Sequence, residues 1–440
     1  MSSLDPPAPD STVPPTTSSP RRLWRNANLV SVLAGETVSD LGSQLGGLAL
    51  PLAAALALQA TPGQMAALSA AEYLPRIAVG LVAGVWIDRL RRRPVLLVTN
   101  AVRACVLLGV AAAAAGGALR VELLYGVGML LAALDIVFST ALLAYLPTLV
   151  PPAALIAASG ARATSSALTD LAGPALAGIL VQLLGTPAAL ALDGVSFLAS
   201  VAGIALVRAP EPAPPPPAQR RRLDREVVEG VRTLVREPIL RAFAATAVTA
   251  NFFYSVIMAI YVLYLAQDLA LSPTTIGLIF GFGGGAGVLV GSASAAVVAR
   301  WLGVGRTLVV AHLLFGLLGI PLALSVVWPA LGAALVFASE FAQLGVNAVY
   351  MVNRQSVELA VTPPRLRGRV QASRTVAHAV SRVLGLALGG VLGEQAGLSA
   401  AVVVGVLGGF GSFVWVWRSP IPTLHQLPQA REEVAEPEDS

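Results

Sequence analysis

The stretch 84-GVWIDRLRRRP-94 places one acid and four arginines between two long apolar runs. Charged side chains are costly in a membrane interior, so the stretch marks a loop at the membrane surface. Only 12% of the chain is charged, about half of the ~25% that is usual in soluble domains, and 56% is hydrophobic. Apolar runs of about 17 to 25 residues on either side of this loop predict an all-α membrane protein with twelve spans. The predicted spans are Ala27 to Leu58, Gln64 to Ile87, Val95 to Ala115, Val121 to Leu143, Leu155 to Leu184, Pro187 to Val207, Leu240 to Ala266, Pro273 to Ala299, Thr307 to Val327, Pro329 to Val352, Val370 to Leu392 and Ser399 to Val416.

The basic residues predict the orientation of these spans. All 29 are arginine, and short cytoplasmic loops carry the excess of basic residues in membrane proteins. The loops on one side of the predicted topology hold nearly all loop arginines, whereas the opposite side holds only Arg120. Both termini are therefore predicted to be cytoplasmic. The net charge of +5 is explained by topology, and a basic patch with interleaved aromatics, as a nucleic-acid surface needs, is not visible.

Two bundles of six helices joined by a linker are the predicted domain organisation. An internal repeat supports it: a shift of 212 residues lays Pro151–Gly185 onto Pro363–Gly397 and aligns Arg162 with Arg374. Repeated halves are expected of a transporter whose bundles rock around a site between them. The predicted segments are a disordered cytoplasmic tail (1–22), an N-terminal bundle (23–208), a cytoplasmic linker with an amphipathic helix (209–238), a C-terminal bundle (239–418) and a cytoplasmic tail (419–440).

The loop after span two carries a spaced motif as well as charge. Gly84 permits a neighbouring helix to approach closely. Asp88, at the membrane surface, can face the positive N-terminal end of a helix or pair with an arginine there. The basic positions of the motif are Arg89, Arg92 and Arg93.

Twelve spans in two related halves, with this motif between spans two and three, resemble the major facilitator superfamily. Trp86 and Arg91 depart from the pattern of that family, which has leucine and glycine at these positions. The resemblance implies that Asp88 contacts the start of span eleven, near Arg365–Arg369, and latches the cytoplasmic side shut. The alternative is that the arginines from Arg89 to Arg93 only enforce topology.

A second motif lies in span five and resembles the antiporter motif of drug exporters. Thr169 and Ala177 occupy two of its glycine positions, and packing of small residues around a bent helix is the alternative explanation. The segments "YLPR", "LPTLVPPAAL", "LDGVSFLAS" and "RLRGRVQA" resemble the branch that contains macrolide-efflux proteins and the enterobactin exporter. The arginine that drug antiporters carry in span four is absent here. The residues of the antiporter-like motif are Gly160, Gly173, Pro174 and Gly178.

Ionisable residues inside the predicted spans are candidates for proton coupling, because such groups line cavities or form pairs. Glu36 and Asp40 lie one turn apart in span one, while Asp135 in span four and Glu340 in span ten fall near mid-span. The family resemblance places Asp40, Asp135 and Glu340 in a central cavity. A carboxyl that alternates between dry surroundings and an arginine neighbour can carry a proton. The order of candidates is Asp40, Glu340 and Asp135, and a fixed ion pair or a hydroxyl-bonded acid is the alternative for each.

Further charges and polar residues complete the predicted site. Asp170 occupies the repeat position equivalent to Arg382, which suggests a pair across the bundle interface, and Arg374 lies two turns before Arg382. Aromatic and amide side chains in spans seven and ten suit a sizeable amphipathic molecule, with packing against lipid as the alternative for each aromatic. The predicted lining is Asn251, Phe252, Phe253, Tyr254, Tyr261, Gln343, Asn347 and Tyr350.

These features predict a proton-driven exporter of drug-like compounds or secondary metabolites in a bacterial-type cell membrane, acting as a monomer. Its partners are a small-molecule substrate, protons and the lipid bilayer, without nucleic acid. No nucleotide-binding loop is present in the sequence, so the proton gradient is the expected driving force and no cofactor or metal is expected. Cys105 is the single cysteine, and three scattered histidines argue against an enzyme. The alternatives are a proton symporter that imports a solute and a membrane receptor or scaffold.

Overall fold

The computed structural model describes residues 24–87, 89–208, 211 and 231–424, and within them the chain is almost entirely helical. Residues 231–236 are also helical, in the part of the linker that is described; the rest of the predicted amphipathic helix lies outside the described residues. Short π-helical turns continue several α-helices, as at Ile279–Gly285. The α-helices are α1 Ala27–Leu52, α2 Pro62–Ala78, α3 Gly80–Ile87, α4 Arg92–Ala115, α5 Val121–Leu149, α6 Leu155–Ala205, α7 Pro238–Met258, α8 Tyr261–Leu263, α9 Pro273–Leu278, α10 Ala286–Leu302, α11 Val304–Leu317, α12 Ile320–Leu324, α13 Gly332–Val361, α14 Arg367–Gln395, α15 Leu398–Gly411 and α16 Phe413–Trp417.

The helix ends follow from local sequence. Asn26 caps α1, since its side chain accepts hydrogen bonds from the backbone N–H groups of residues 28 and 29. Thr61 and Gln64 form a capping box at the start of α2. The long helix α6 turns back on itself at Gly185, where φ is 80°, a value that glycine adopts without steric cost. The two arms of α6 correspond to predicted spans five and six.

Among the described residues, nine helical stretches are long and apolar enough to cross a membrane, and Pro152–Ala205 counts once although it contains two predicted spans. Predicted spans one and two are not among the nine. Span two falls on α2 and α3, of 17 and 8 residues. Val79 between them has helical φ and ψ, and its N–H donates to the carbonyl oxygen of Pro75 while its carbonyl oxygen accepts from Ala83 N–H, so the helix continues from α2 into α3. Every predicted span overlaps a helix. The count of twelve crossings stays a prediction.

The repeat found in the sequence is reproduced in the packing of α6 and α14. A methyl group added to Gly178 of α6 would lie 2.3 Å from the carbonyl oxygen of Pro273, the first residue of α9. A methyl group added to Gly390, the equivalent position of α14, would lie 2.6 Å from the Cβ of Ala66 in α2. Each repeat helix therefore packs tightly against a helix of the other half, and glycine makes the approach possible.

The two halves, residues 24–208 (the N-terminal half) and 231–424 (the C-terminal half), pack together at one end, and contacts such as that of Gly285 with Leu171 reach the middle of the helices. A single apolar cluster there contains residues of both halves, and we call this end the closed end. Thr61 Oγ1 donates to Glu394 Oε1 at 2.8 Å across it, and the Gln267 amide donates to the carbonyl oxygen of Ala55 at 3.3 Å. At the opposite end, the open end, one apolar cluster draws on residues 29–207 and another on residues 242–424.

Candidate functional site

The first charged pair of the interior joins α1 to α6. Arg162 Nε donates to Glu36 Oε1 at 2.7 Å, and the side chains of Arg162 and Glu36 are 32% and 7% exposed. The second carboxylate oxygen of Glu36 has no hydrogen-bond partner among the described residues. Glu36, predicted as a cavity or proton-coupling charge, is thus an ion-paired acid in this conformation.

Asp40 lies one turn further along α1 and is half-buried. It accepts no hydrogen bond from the described residues, in contrast to Glu36. Its surroundings are nevertheless charged, since Glu36, Arg162, Asp170 and Asp135 lie near enough to interact with it electrostatically. Asp40 is therefore an acid without a fixed partner among the described residues, inside a cluster of carboxylates with two arginines, Arg162 and Arg103.

Asp135 pairs with an arginine that the sequence analysis missed. Arg103 Nη2 lies 3.1 Å from Asp135 Oδ1, and the side chains of Arg103 and Asp135 are 9% and 44% exposed. The guanidinium also stacks over the ring of Phe197, with its carbon 4.2 Å from the ring centroid. Arg103 falls inside predicted span three, so a charge within an apolar run was the signal that could have revealed it. For Asp135 the structure shows a fixed ion pair.

A cavity of about 220 Å³ lies beside this pair in the N-terminal half, and we call it the N-terminal cavity. Three carboxyls line it, those of Glu72, Asp135 and Asp193, and two arginines, Arg76 and Arg103. One carboxylate oxygen of Asp193 is buried without a hydrogen-bond partner among the described residues. The charged groups of this wall therefore include more acids than bases. In the part of the chain that is described, no group of three or more His, Cys, Asp or Glu residues could hold a metal ion.

The predicted pair between Asp170 and Arg382 is not formed. Asp170 instead accepts a hydrogen bond from the Gln44 side chain at 2.9 Å. Arg382 places its guanidinium carbon 4.6 Å from the ring centroid of Tyr73 and lies near Glu72. Repeat symmetry gave equivalent positions, but the rotation of each helix about its axis points the two side chains at different neighbours.

Glu340 of α13 is a hydroxyl-bonded acid between helices. The buried Tyr261 hydroxyl donates to Glu340 Oε1 at 2.5 Å. Tyr261 belongs to the apolar cluster of the closed end. Of the two possibilities left open for Glu340, the structure therefore shows the fixed hydrogen bond.

The predicted lining of spans seven and ten is only partly brought together. Asn251, Tyr254 and Asn347 line one cavity of about 230 Å³ between α7, α11, α13 and α14, which we call the C-terminal cavity. Tyr350 lines it as well. The aromatic and amide character of this wall agrees with the expectation for an organic ligand.

The remaining lining candidates have other contacts. Gln343 donates to the carbonyl oxygen of Phe315 in α11 at 2.9 Å. Phe252 packs edge-on against Phe253, with ring centroids 5.0 Å apart. Tyr261 is held by Glu340 at the closed end. The contacts of Gln343 and Tyr261 join helices of the C-terminal half, whereas the contact between Phe252 and Phe253 lies within α7.

Two arginines share one glutamate at the edge of the C-terminal cavity. Arg354 Nε lies 3.6 Å from Glu358 Oε1, and Arg374 Nη1 donates to Glu358 Oε2. The side chains of Arg354, Glu358 and Arg374 are 6%, 11% and 17% exposed. Arg374 was predicted as an interior charge, but Arg354 and Glu358 were not. The spacing of four residues between Arg354 and Glu358 places them on one helix face.

The motif in the loop after span two lies partly within the described residues. Gly84 lies in α3, whereas Asp88 lies outside the described residues, so its contact with the start of α14 stays a prediction. Arg89 is exposed. The backbone N–H groups of Arg92 and Arg93 open helix α4 and both donate to the carboxylate of Glu211, the second at 3.2 Å. A carboxylate at a helix N-terminus is favourable, so this acid anchors the first turn of α4.

The antiporter-like motif combines tight and open positions. An added methyl group on Gly173 would lie 2.4 Å from Gln44 Cγ of α1, and on Gly178 it would meet α9 as described above. Pro174 lies within α6 between them. Gly160 has nothing within 4 Å of such a methyl group. Close packing requires glycine at two of these positions, and the third has room for a side chain.

This chain is similar to a known protein family and to two uncharacterized MFS-type transporters. The sequence pattern of the Major Facilitator Superfamily matches residues 32–357 and 250–437. The uncharacterized MFS-type transporter YfiS of Bacillus subtilis (strain 168) is 26% identical over 397 residues, which cover 87% of this chain and 91% of YfiS. The uncharacterized MFS-type transporter y4rN of Sinorhizobium fredii is 26% identical over 275 residues, which cover 61% of this chain and 67% of that protein.

Among solved structures, a bacterial homologue of the iron transporter ferroportin in an inward-facing state has the same fold. The TM-score is 0.67 and the identity 19%, over 90% of this chain and 98% of that one. At this identity the likeness concerns the arrangement of helices alone.

Proposed function

Because the chain belongs to the Major Facilitator Superfamily of secondary membrane transporters, we propose that it exports amphipathic small molecules in exchange for protons, by alternating access. In such a cycle the two halves rock about a central site, and each conformation opens the site to one side of the membrane. The protein would act as a monomer in a bacterial-type cell membrane, and the proton gradient would drive it without a cofactor.

The observation that carries the proton coupling is the state of Asp40. The other interior acids of α1, α5 and α13 have fixed partners: Glu36 is held by Arg162, Asp135 by Arg103 and Glu340 by a tyrosine hydroxyl. Asp40 has none, so binding or loss of a proton there breaks no existing hydrogen bond. Each protonation changes the net charge beside Glu36 and Arg162 by one unit, which alters the balance between conformations of the N-terminal half.

In the proposed export cycle, the substrate enters at the open end. The arginine-rich loops predict that the open end faces the cytoplasm. A proton leaves Asp40 into the cytoplasm in this conformation, and a cytoplasmic substrate enters. After the halves rock, Asp40 takes up a proton from outside while the substrate departs. One proton thus moves inwards for each passage of Asp40 through the cycle.

Gradient-driven transport into proteoliposomes tests this proposal. Ethidium and erythromycin serve as probes, and trapped pyranine reports proton movement. We expect an imposed pH gradient to drive accumulation of at least one probe, with a matching movement of protons. Asp40→Asn should abolish gradient-driven accumulation but retain probe binding, because only the titrating group is lost.

Glu122→Gln is the matched control, since Glu122 is an exposed acid in the first turn of α5. It should transport like the wild type. Accumulation that is equally fast in Asp40→Asn would contradict the coupling role of Asp40. Proton and probe moving in the same direction would show import by symport and overturn the export proposal.

A further inference from the structure

We propose that the C-terminal cavity binds the carboxylate of a small aromatic acid, with Arg354 as the residue that holds it. The proposal names a substrate class for the transport function proposed above and rests on that function for its physiological meaning. Binding itself requires no gradient, so it is separately testable.

The first step is the charge balance of the cavity edge. Arg354 and Arg374 share Glu358, so two guanidinium groups face one carboxylate. The other ionisable side chains that line the cavity are those of Tyr254, Tyr350, His312 and His378, and none of them carries a carboxylate. Helix α7 contributes no charged residue to this wall. One buried positive charge is therefore uncompensated, and buried charges are normally paired.

The second step is the set of free hydrogen-bond donors. Arg354 Nη1 is buried without a hydrogen-bond partner among the described residues, and the side chain is only 6% exposed. Arg354 Nε belongs to the ion pair with Glu358. Thr246 Oγ1, which belongs to the same lining, is also buried without a partner there. A planar guanidinium with free N–H groups matches a carboxylate in geometry and charge.

The third step is the apolar part of the wall. Phe315, Leu344 and Ala250 line the cavity together with the polar groups. Its volume of about 230 Å³ exceeds the ~150 Å³ of an apolar protein cavity that accommodates benzene. One aromatic ring with a carboxylate group fits this space.

The fourth step is access. A second cavity of about 280 Å³ lies at the ends of α13 and α14 and shares Met351 and Arg354 with the C-terminal cavity. Arg367 and Arg374 line it as well. The second cavity, with three arginines and Glu358 in its lining, therefore lies between the open end and Arg354. The N-terminal cavity, with three carboxyls and two arginines, has the opposite balance of charge.

Isothermal titration of the purified full-length protein in lipid nanodiscs, without a gradient, tests the proposal with benzoate as probe. Benzamide has nearly the same shape without the charge, and inorganic phosphate has charge without the ring. We expect saturable benzoate binding, at least about tenfold weaker binding of benzamide and no competition by an equal concentration of phosphate.

Two variants locate the site. Arg354→Gln removes the proposed partner, and Ala250→Leu fills the cavity while leaving every charge in place. Each should weaken benzoate binding at least about tenfold. Arg418→Gln, at an exposed arginine after α16, is the control and should bind like the wild type. If Arg354→Gln unfolds the protein, the Ala250→Leu result decides.

Equal binding of benzoate and benzamide would overturn the proposal, as would undiminished binding by Ala250→Leu. Phosphate that displaces benzoate at equal concentration would show an anion site without an aromatic pocket and would also overturn it. If benzoate does not bind but a pH gradient still drives ethidium transport, the binding proposal fails and the export proposal stands. The converse result, benzoate binding without any gradient-driven transport, would overturn export alone.

Discussion

Glu358 is the single residue on which the charge balance at the edge of the C-terminal cavity depends. We expect Glu358→Gln to lower the free energy of unfolding by about 3–5 kcal/mol, because removal of one partner leaves buried charges uncompensated. Arg354 and Arg374, at 6% and 17% exposure, would then face each other without an acid. Thermal melting in detergent measures the effect, and the exposed Glu122→Gln control should change by less than about 1 kcal/mol. Equal melting of the two variants would contradict the assigned role of Glu358.

At the residue scale, the sequence predicts which charges matter better than it predicts their partners. Glu36 and Asp40 stand out because a charge within an apolar run is costly and needs a reason. Arg103 obeys the same rule and was missed. The predicted pair of Asp170 with Arg382 was wrong, since Asp170 accepts a hydrogen bond from Gln44. Contacts depend on how each helix is rotated and tilted against its neighbours, which no sequence period determines.

Two glycines of the antiporter-like motif in helix α6 differ sharply in their surroundings. Gly178→Ala should destabilise the protein by about 1–3 kcal/mol, because the new methyl group would lie 2.3 Å from a backbone oxygen of α9 that cannot move alone. Gly160→Ala meets nothing within 4 Å and should be neutral or stabilising, as alanine favours helix. Melting temperatures of the two variants measure the difference. A Gly178→Ala variant as stable as Gly160→Ala would show that α6 and α9 do not pack as described.

The helices themselves could largely be predicted, because apolar length and proline or glycine breaks mark their ends. The turn at Gly185 falls between predicted spans five and six, as expected from the sequence around Pro187. Predicted span two runs from α2 into α3 through the helical backbone of Val79.

For the whole molecule, the repeat and the arginine pattern predicted two related halves, but they did not predict which end of the molecule is closed. Transporter conformations differ by only a few kcal/mol, so small contacts decide which one is populated. Here the bonds of Glu394 to Thr61 and to the backbone N–H of Gly63, at 2.8 and 3.1 Å, hold the closed end. The central claim is that protonation of Asp40 shifts this balance between the two ends.

Distances between spin labels, measured by pulsed electron resonance, test that claim most directly. In a Cys105→Ser background, Ala118→Cys with Val327→Cys reports on the closed end, and Ile156→Cys with Trp301→Cys on the open end; all four positions are exposed. We predict that lowering the pH from about 8 to about 5, a range in which carboxyls in apolar surroundings titrate, shifts both distance distributions in the otherwise wild-type protein. At both pH values, Asp40→Asn should show the distance distributions that the otherwise wild-type protein shows at the lower pH. A shift with pH that persists unchanged in Asp40→Asn, or no shift in the wild type, would contradict the account.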